Sequence, residues 1–216
     1  MKYYPVYLNI LDRSCVVVGG GGVAERKVAR LLESGARVTV VSRTLTARLD
    51  GIRRENGIVH IDDEYRKEYL TGARLVIGAT DDPVVNGLLF RDCRELGIPV
   101  NIVDDPLRCD FILPAVAEQG DLSIAVSTAG KSPLLARRLR EELEERYGPE
   151  YAVLLKIMGD LRERIIARGG GSGDNREIFE RVLDSPVLEH IRNGAWEEVR
   201  RIIRETTGEE VDVGGD

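Results

Sequence analysis

The sequence predicts an α/β protein: a parallel sheet covered by helices, followed by a smaller and mainly helical part. Two observations carry this. Up to about residue 103, short β-branched runs alternate with helical patterns, which implies a parallel sheet covered on both faces. Beyond residue 113 the apolar pattern becomes almost wholly helical.

The most informative stretch lies near the start. Val16, Val17 and Val18 run into four glycines, Gly19 to Gly22. A helical pattern follows, with Val23, Ala24, Val28, Leu31 and Leu32 on one face. Gly35 ends it, and a second apolar run covers residues 38–41. Strand, glycine turn, helix and strand make the first half of a Rossmann-type dinucleotide-binding fold. Gly19 suits the tight turn, Gly21 lets the backbone approach a pyrophosphate, and Ala24 fills the small position where helix meets strand. The helix start offers free N–H groups and a positive dipole end to phosphates. A glycine-rich turn that binds nothing would be built from the same letters.

A short third strand is expected at residues 57–61 and a fourth at residues 74–79. The fourth leads into Thr80-Asp81-Asp82-Pro83, where an aspartate caps a helix and Pro83 fills its first turn. That helix runs to about Leu96, Gly97 stops it, and a fifth strand covers residues 98–103. The dinucleotide-binding domain is thereby placed at residues 1–113. Residues 121–126 alternate like a strand with one covered face. Ser132 reads as an N-cap and Pro133 as the first residue of a helix to about Arg146, striped with Leu134, Leu135, Leu139 and Leu143. An alternating strand and an apolar stripe after a completed sheet need a partner, so residues 114–146 are expected to mediate a homodimer. Residues 147–216 form a helical domain: a helix over 150–168, a flexible glycine link at 169–173, and two or three short helices with Trp196 in their core. Residues 208–216 read as a frayed acidic tail.

Bulk properties narrow the function. Apolar residues make up 43% and charged residues 31% of 216, as in a globular protein. The net charge of −6 argues against nucleic acid as a partner. No apolar run approaches the roughly 20 residues of a membrane helix, and the first residues carry no signal-peptide core. Three scattered cysteines and two histidines argue against a zinc site or a disulfide framework, so no metal ligands are assigned. These features point to the cytoplasm.

Ligands of open α/β sheets bind beyond the carboxyl ends of the strands, so the loops at 19–23, 80–82 and 104–106 matter most. Thr80 and Asp81 join the glycine loop as candidate cofactor contacts. Where nicotinamide enzymes often carry a ribose-binding acid, this chain has Ser42-Arg43-Thr44 and no carboxylate. Arg43 fits a 2′-phosphate and NADP; Ser42 and Thr44 fit the ribose of NAD. Residue chemistry leaves both open. Asp104 follows a buried strand, and partial burial would raise its pKa from about 3.9, as suits a proton acceptor. Equally, Asp104 or Asp105 would serve to cap a turn before Pro106. In the polar loop 127–132, Thr128, Gly130 and Lys131 precede a helix and suit an anionic group, whereas Arg137, Arg138 and Arg140 read as partners of nearby glutamates. There is no Tyr-x-x-x-Lys pair, no Gly-x-Ser-x-Gly elbow and no P-loop.

The joint pattern is recognisable. Tyr4-Pro-Val-Tyr-Leu8, Val18-Gly-Gly-Gly-Gly-Val-Ala-Glu-Arg-Lys27, Ala79-Thr-Asp-Asp82 with Asn86, Asn101-Ile-Val-Asp104, Phe111-Ile-Leu-Pro114 and Ala125-Val-Ser-Thr-Ala-Gly-Lys-Ser-Pro-Leu-Leu-Ala-Arg137 follow in order. Together they resemble the dehydrogenase–chelatase module of sirohaem synthase. The resemblance implies oxidation of precorrin-2 to sirohydrochlorin with NAD⁺ by a homodimer, and in some members insertion of Fe²⁺, which is then a substrate. It implies a catalytic role for Asp104 and nucleotide contacts at Gly22-Val23 and Arg43-Thr44, favouring NAD. It leaves Asn101, Thr128, Gly130 and Lys131 as expected tetrapyrrole contacts, with Thr128 standing where some members carry serine. Two other readings remain: a non-catalytic NAD-binding regulatory module, which would need neither Asp104 nor the 128–131 loop, and a different small NAD(P) dehydrogenase.

Overall fold

A computed structural model describes residues 3–169 and 172–212. The chain divides into two compact units, residues 1–113 and 114–216.

The first unit runs β1 (Ser14–Val18), α1 (Gly22–Glu33), β2 (Arg37–Val41), α2 (Ala47–Arg54), β3 (Val59–Ile61), β4 (Leu75–Gly78), α3 (Pro83–Leu96) and β5 (Val100–Ile102). All five strands are parallel, in the order β3-β2-β1-β4-β5. Side chains of β1 alternate between two cores, as the strand period of two requires. Cys15 and Val17 pack with Ala24, Val28, Leu31 and Leu49, so α1 and α2 cover one face. Val16 and Val18 pack with Leu70, Leu89 and Cys93, so α3 and a 3₁₀ turn at Lys67–Leu70 cover the other. Val18 lies opposite Val41 on one side and Gly78 on the other, so three strand ends finish level. Chain order departs in opposite directions from β1, which makes this edge the crevice where α/β proteins bind ligands.

Local signals set the helices. The Asp82 carboxylate accepts from the Val84 and Val85 amides at 2.8 and 3.2 Å, Pro83 opens α3, and Gly97 closes it at φ +67°. The sequence reading passed over α2. Its string Ala-Arg-Leu-Asp-Gly-Ile-Arg-Arg has no apolar stripe, and only Leu49 is buried; the Thr46 cap on the Leu49 amide (3.2 Å) starts it instead.

The second unit opens with a hairpin, β6 (Ala115–Gln119) and β7 (Leu122–Val126), turning at Gly120 with φ +57°. Only β7 was expected. The β6 string Ala-Val-Ala-Glu-Gln has a single β-branched residue and is a strand because β7 pairs with it. Then come α4 (Pro133–Arg146), α5 (Glu150–Ala167), α6 (Ser172–Asp184), α7 (Val187–Arg192) and α8 (Trp196–Thr207). Ser132 caps α4 on the Leu135 amide at 3.2 Å. Arg137 and Arg140 pair along the helix with Glu141 and Glu144, each at 2.8 Å. On α5, Leu154, Ile157, Leu161 and Ile165 form a stripe that meets Val182, Val187, Ile191, Val199, Ile202 and Ile203, with Trp196 half-buried against them. The buried Glu150 carboxylate accepts from Arg192 at 2.6 and 3.1 Å, which joins the start of α5 to the end of α7.

Two expectations need correction. Of the link at 169–173, Ser172 and Gly173 belong to α6, while Gly170 and Gly171 lie outside the described residues. The tail is not frayed as far as it is described. Gly208 caps α8 at φ +72°, Glu209 pairs with Arg168 and Glu210 with Arg204, and Val211 packs on the core. Residues 213–216 lie outside the described residues. Among the described residues, no helix is long and apolar enough to cross a membrane.

Candidate active site

The glycine turn is built by its neighbours. Gly19 sits at φ +123°, and a Cβ there would collide with the Ala79 carbonyl, so no other residue fits. Its N–H donates to the Val41 carbonyl at 2.9 Å, and the Ala79 N–H donates to Val18 at 2.7 Å. The turn is thus clamped between the ends of β2 and β4. A Cβ on Gly20 would strike the Thr44 carbonyl and the Ser42 side chain. The sequence signal for this second constrained position is a run of four glycines where the motif asks for fewer. Gly21 and Gly22, by contrast, are exposed with nothing within 4 Å of an added Cβ. Gly21 is the N-cap of α1 and has no side chain to cap it. The first intrahelical bond from this end is donated by Glu25 to Gly21 (3.0 Å), which leaves the Gly22, Val23 and Ala24 amides without an intrahelical acceptor. Ala24 is fully buried against the sheet, as its small size allows. Free donors, a helix dipole and space meet at one point, and these residues fit a pyrophosphate.

At the end of β2 the structure corrects the sequence reading. Carboxylates are present, supplied by the segment that follows the neighbouring strand β3: Asp63 lies 3.4 Å and Glu64 3.9 Å from the Arg43 guanidinium. The Tyr69 hydroxyl donates to Asp63 at 2.6 Å. Together with the Glu64 amide and the Arg66 and Arg43 charges, it holds the Asp63 carboxyl below its usual range. Arg43 is therefore already matched by negative charge. The Ser42 hydroxyl donates to the Thr44 carbonyl at 2.6 Å, which shapes the loop facing Gly20. Glu25 on α1 accepts from Thr46 at 2.6 Å and ties this loop to the helix that starts at the glycines.

The other two loops stand at the same edge of the sheet. The Thr80 carbonyl accepts from the Asn86 amide at 2.9 Å, and its hydroxyl accepts from the Asp82 N–H at 3.2 Å. Asp81 beside it is exposed. Val103 still donates to Gly78 (2.9 Å), and the chain then turns out of the sheet at Asp104, which takes φ +61°. The expected partial burial of Asp104 is not found: it is exposed, because the turn comes two residues after β5 ends. Asp105 pairs with Arg108 at 3.4 Å. The Asn101 amide donates to the Phe111 carbonyl at 2.9 Å and is thus engaged in holding the loop. Lys27 joins the site only in the folded chain. Burial, with Arg26 beside it, pushes the Lys27 ammonium below the usual lysine value, while the charge of Asp104 pulls it back up. The first turns of α1 and the Asp104 turn thus share one electrostatic field. The two fully buried thiols offer no chemistry: burial raises Cys15 and pushes Cys93 up to about 12.

In the second unit, residues 127–132 form a tight turn. The Lys131 N–H donates to the Thr128 carbonyl (3.0 Å), and the Thr128 hydroxyl accepts from the Ser132 N–H (3.1 Å). Ala129 and Gly130 both have positive φ, and an added Cβ at Gly130 would meet open space. Lys131 is exposed.

Comparison with known proteins agrees with this architecture. Residues 6–115 match a family described as putative NAD(P)-binding. Residues 119–146 match the sirohaem biosynthesis protein central region, and residues 150–206 the sirohaem synthase dimerisation region. The dimerisation description thus falls after residue 146. Siroheme synthase of Nitrosospira multiformis is 40% identical over 198 residues, covering 90% of this chain and 42% of the relative. Siroheme synthase of Methylococcus capsulatus is 37% identical over 206 residues, covering 95% and 43%. The chain therefore spans less than half the length of these curated relatives. The solved structure of "SirC, precorrin-2 dehydrogenase" superposes with a TM-score of 0.76 at 25% identity, over 96% of this chain and all of that one. From the glycine turn to the last helix, the chain belongs to the family of the sirohaem synthase dehydrogenase module.

Proposed function

We propose that this chain oxidises precorrin-2 to sirohydrochlorin with NAD⁺. The observation that carries the reading is the meeting, at one sheet edge, of an uncapped helix start over open glycines with a projecting carboxylate, Asp104. Gly21, Gly22 and Val23 would hold the pyrophosphate; the Ser42–Thr44 loop, with Thr80 and Asp81, would flank the nucleoside. Bound there, NAD⁺ supplies the hydride acceptor. The carbon that gives up the hydride also loses a proton, and the Asp104 carboxylate receives it. Lys27 keeps positive charge near that carboxylate. The turn Thr128–Lys131, with its exposed ammonium, suits the carboxylate arms of the tetrapyrrole. Among the described residues, no group of three or more His, Cys, Asp or Glu side chains is placed to hold a metal. Iron, in the chelatase reaction, would enter as a substrate held by the macrocycle. The test mixes purified protein, precorrin-2 and NAD⁺ and follows NADH and sirohydrochlorin absorbance. Folded protein without turnover rejects the proposal and leaves the regulatory module and a different small NAD(P) dehydrogenase as the readings in its place.

NAD⁺ should be preferred to NADP⁺. A 2′-phosphate near Arg43 would also face Asp63 and Glu64, and like charges there repel. We expect kcat/KM to favour NAD⁺ by about tenfold or more, equivalent to about 1.4 kcal/mol or more. The opposite preference would mean that Arg43 leaves its carboxylates to read the phosphate.

The working form is proposed to be a homodimer built on the second unit. A two-stranded hairpin is marginal on its own and has two open edges. On α4, Leu134 is 63% and Leu135 48% exposed. Light scattering at micromolar concentration should give twice the chain mass; a strictly monomeric mass would refute the dimer.

A further inference from the structure

Asp104 is one of four non-glycine residues with positive φ among the described residues. Positive φ is uncommon outside glycine; aspartate is among the residues that adopt it, and here the surroundings hold it there. What enforces it is visible. The Asp105 N–H donates to the Ile102 carbonyl at 3.2 Å, closing a four-residue turn with Asp104 third, the position that takes positive φ in a type II turn. The Cys109 sulfur then lies 3.2 Å from the Ile102 carbonyl and 3.2 Å from the Asp105 carbonyl. Those two carbonyls flank Asp104 in sequence, and the single thiol hydrogen serves both. Behind it, the Asn101 amide donates to the sulfur at 3.4 Å, and Asn101 and Cys109 form an antiparallel bridge. Cys109 is therefore held from the strand side and grips the turn from below. Were Asp104 to relax to negative φ, the Asp105 carbonyl would swing off the thiol.

We infer that Cys109 is a positioning residue: its thiol fixes the turn that aims Asp104 out of the sheet edge. The inference rests on the dehydrogenase reading above. It gives a role to a half-buried thiol whose sulfur meets the Asn101 amide and two carbonyls of the turn.

The test compares Cys109→Ala, Cys109→Val and Cys109→Ser in the full chain. Alanine removes the donor, valine removes it while keeping bulk, and serine retains an O–H donor. Two quantities are read: turnover of precorrin-2, and amide hydrogen exchange of the segment 103–108. Alanine and valine should speed exchange in that segment alone. They should lower kcat about tenfold, short of the roughly 10²-fold that a full 1 Å misplacement costs, with KM for NAD⁺ unchanged. Serine should restore most of both. A structural role alone would lower Tm without this split between kcat and KM. Exchange unchanged in both Ala and Val variants overturns the inference, and so does faster exchange with kcat intact. Should the alanine variant fail to fold, the valine variant decides with the same signs. Wild-type protein that does not turn over precorrin-2 removes the dehydrogenase reading; the exchange measurement still decides whether the thiol holds the turn.

Discussion

Replacing Asp104 by alanine should reduce precorrin-2 oxidation by about 10²-fold or more, the usual contribution of a positioned general base, while NAD⁺ affinity stays at the wild-type value. Asp104 stands at a turn with φ +61° after β5, whereas the amides that would hold the cofactor phosphates belong to the start of α1. Alanine also pays for that backbone conformation, whereas asparagine tolerates it well. Asp104→Asn is therefore the sharper variant. It keeps the turn and the volume and removes only the proton acceptor, and it should lose as much activity as alanine. An active Asp104→Asn enzyme would show that the side chain orients substrate without receiving a proton. Asp105→Ala should lose far less, since the Asp105 carboxylate is paired with Arg108 at 3.4 Å and serves the turn. Equal losses at both positions would move the catalytic assignment one residue along the loop. Steady-state kinetics and calorimetric NAD⁺ binding on the same preparations separate these outcomes.

Gly21→Asp should abolish NAD⁺ binding in a protein that melts no lower than wild type. The site of an added side chain is empty to 4 Å, so the fold has no objection to it. An aspartate at the N-cap of α1 would even supply the missing side-chain cap, worth about a few tenths of a kcal/mol over glycine. The same carboxylate would lie on the ground the pyrophosphate needs and would repel it. Gly19→Ala makes the contrast. Its Cβ runs into the Ala79 carbonyl at φ +123°, so that variant should lose stability and binding together. Calorimetry and thermal melts read both. Normal NAD⁺ affinity in Gly21→Asp would place the cofactor somewhere other than this loop.

What the sequence made legible was what is decided within a few residues. Asp82 before Pro83, Ser132 before Pro133 and Gly97 after Leu96 each act on backbone groups one turn away, and each does so here. Gly19 and Ala24 were legible for the same reason. What was missed is decided by neighbours distant in sequence. β6 exists because β7 pairs with it. Arg43 meets Asp63 because parallel pairing lays the end of β3 beside the end of β2. Gly20 is glycine because residues 42–44 fold back over it. At the site itself, the resemblance singled out Asp104, but its exposure, its positive φ and the thiol beneath it follow from a loop that returns to pair Cys109 with Asn101.

The clamp on Gly19 has a consequence for how the protein comes into being. The glycine loop proposed to bind phosphate takes its shape only when Ala79, some sixty positions later, has docked at the end of β4. A chain emerging from the ribosome with residues 14–41 complete would carry the letters of the loop without its geometry. On the proposed reading, cofactor would have nothing to grip until that distant strand has been added, and such long-range closures are the slow, late events of folding. NAD⁺ should act on the finished domain, slowing its unfolding, and should leave the rate of refolding untouched.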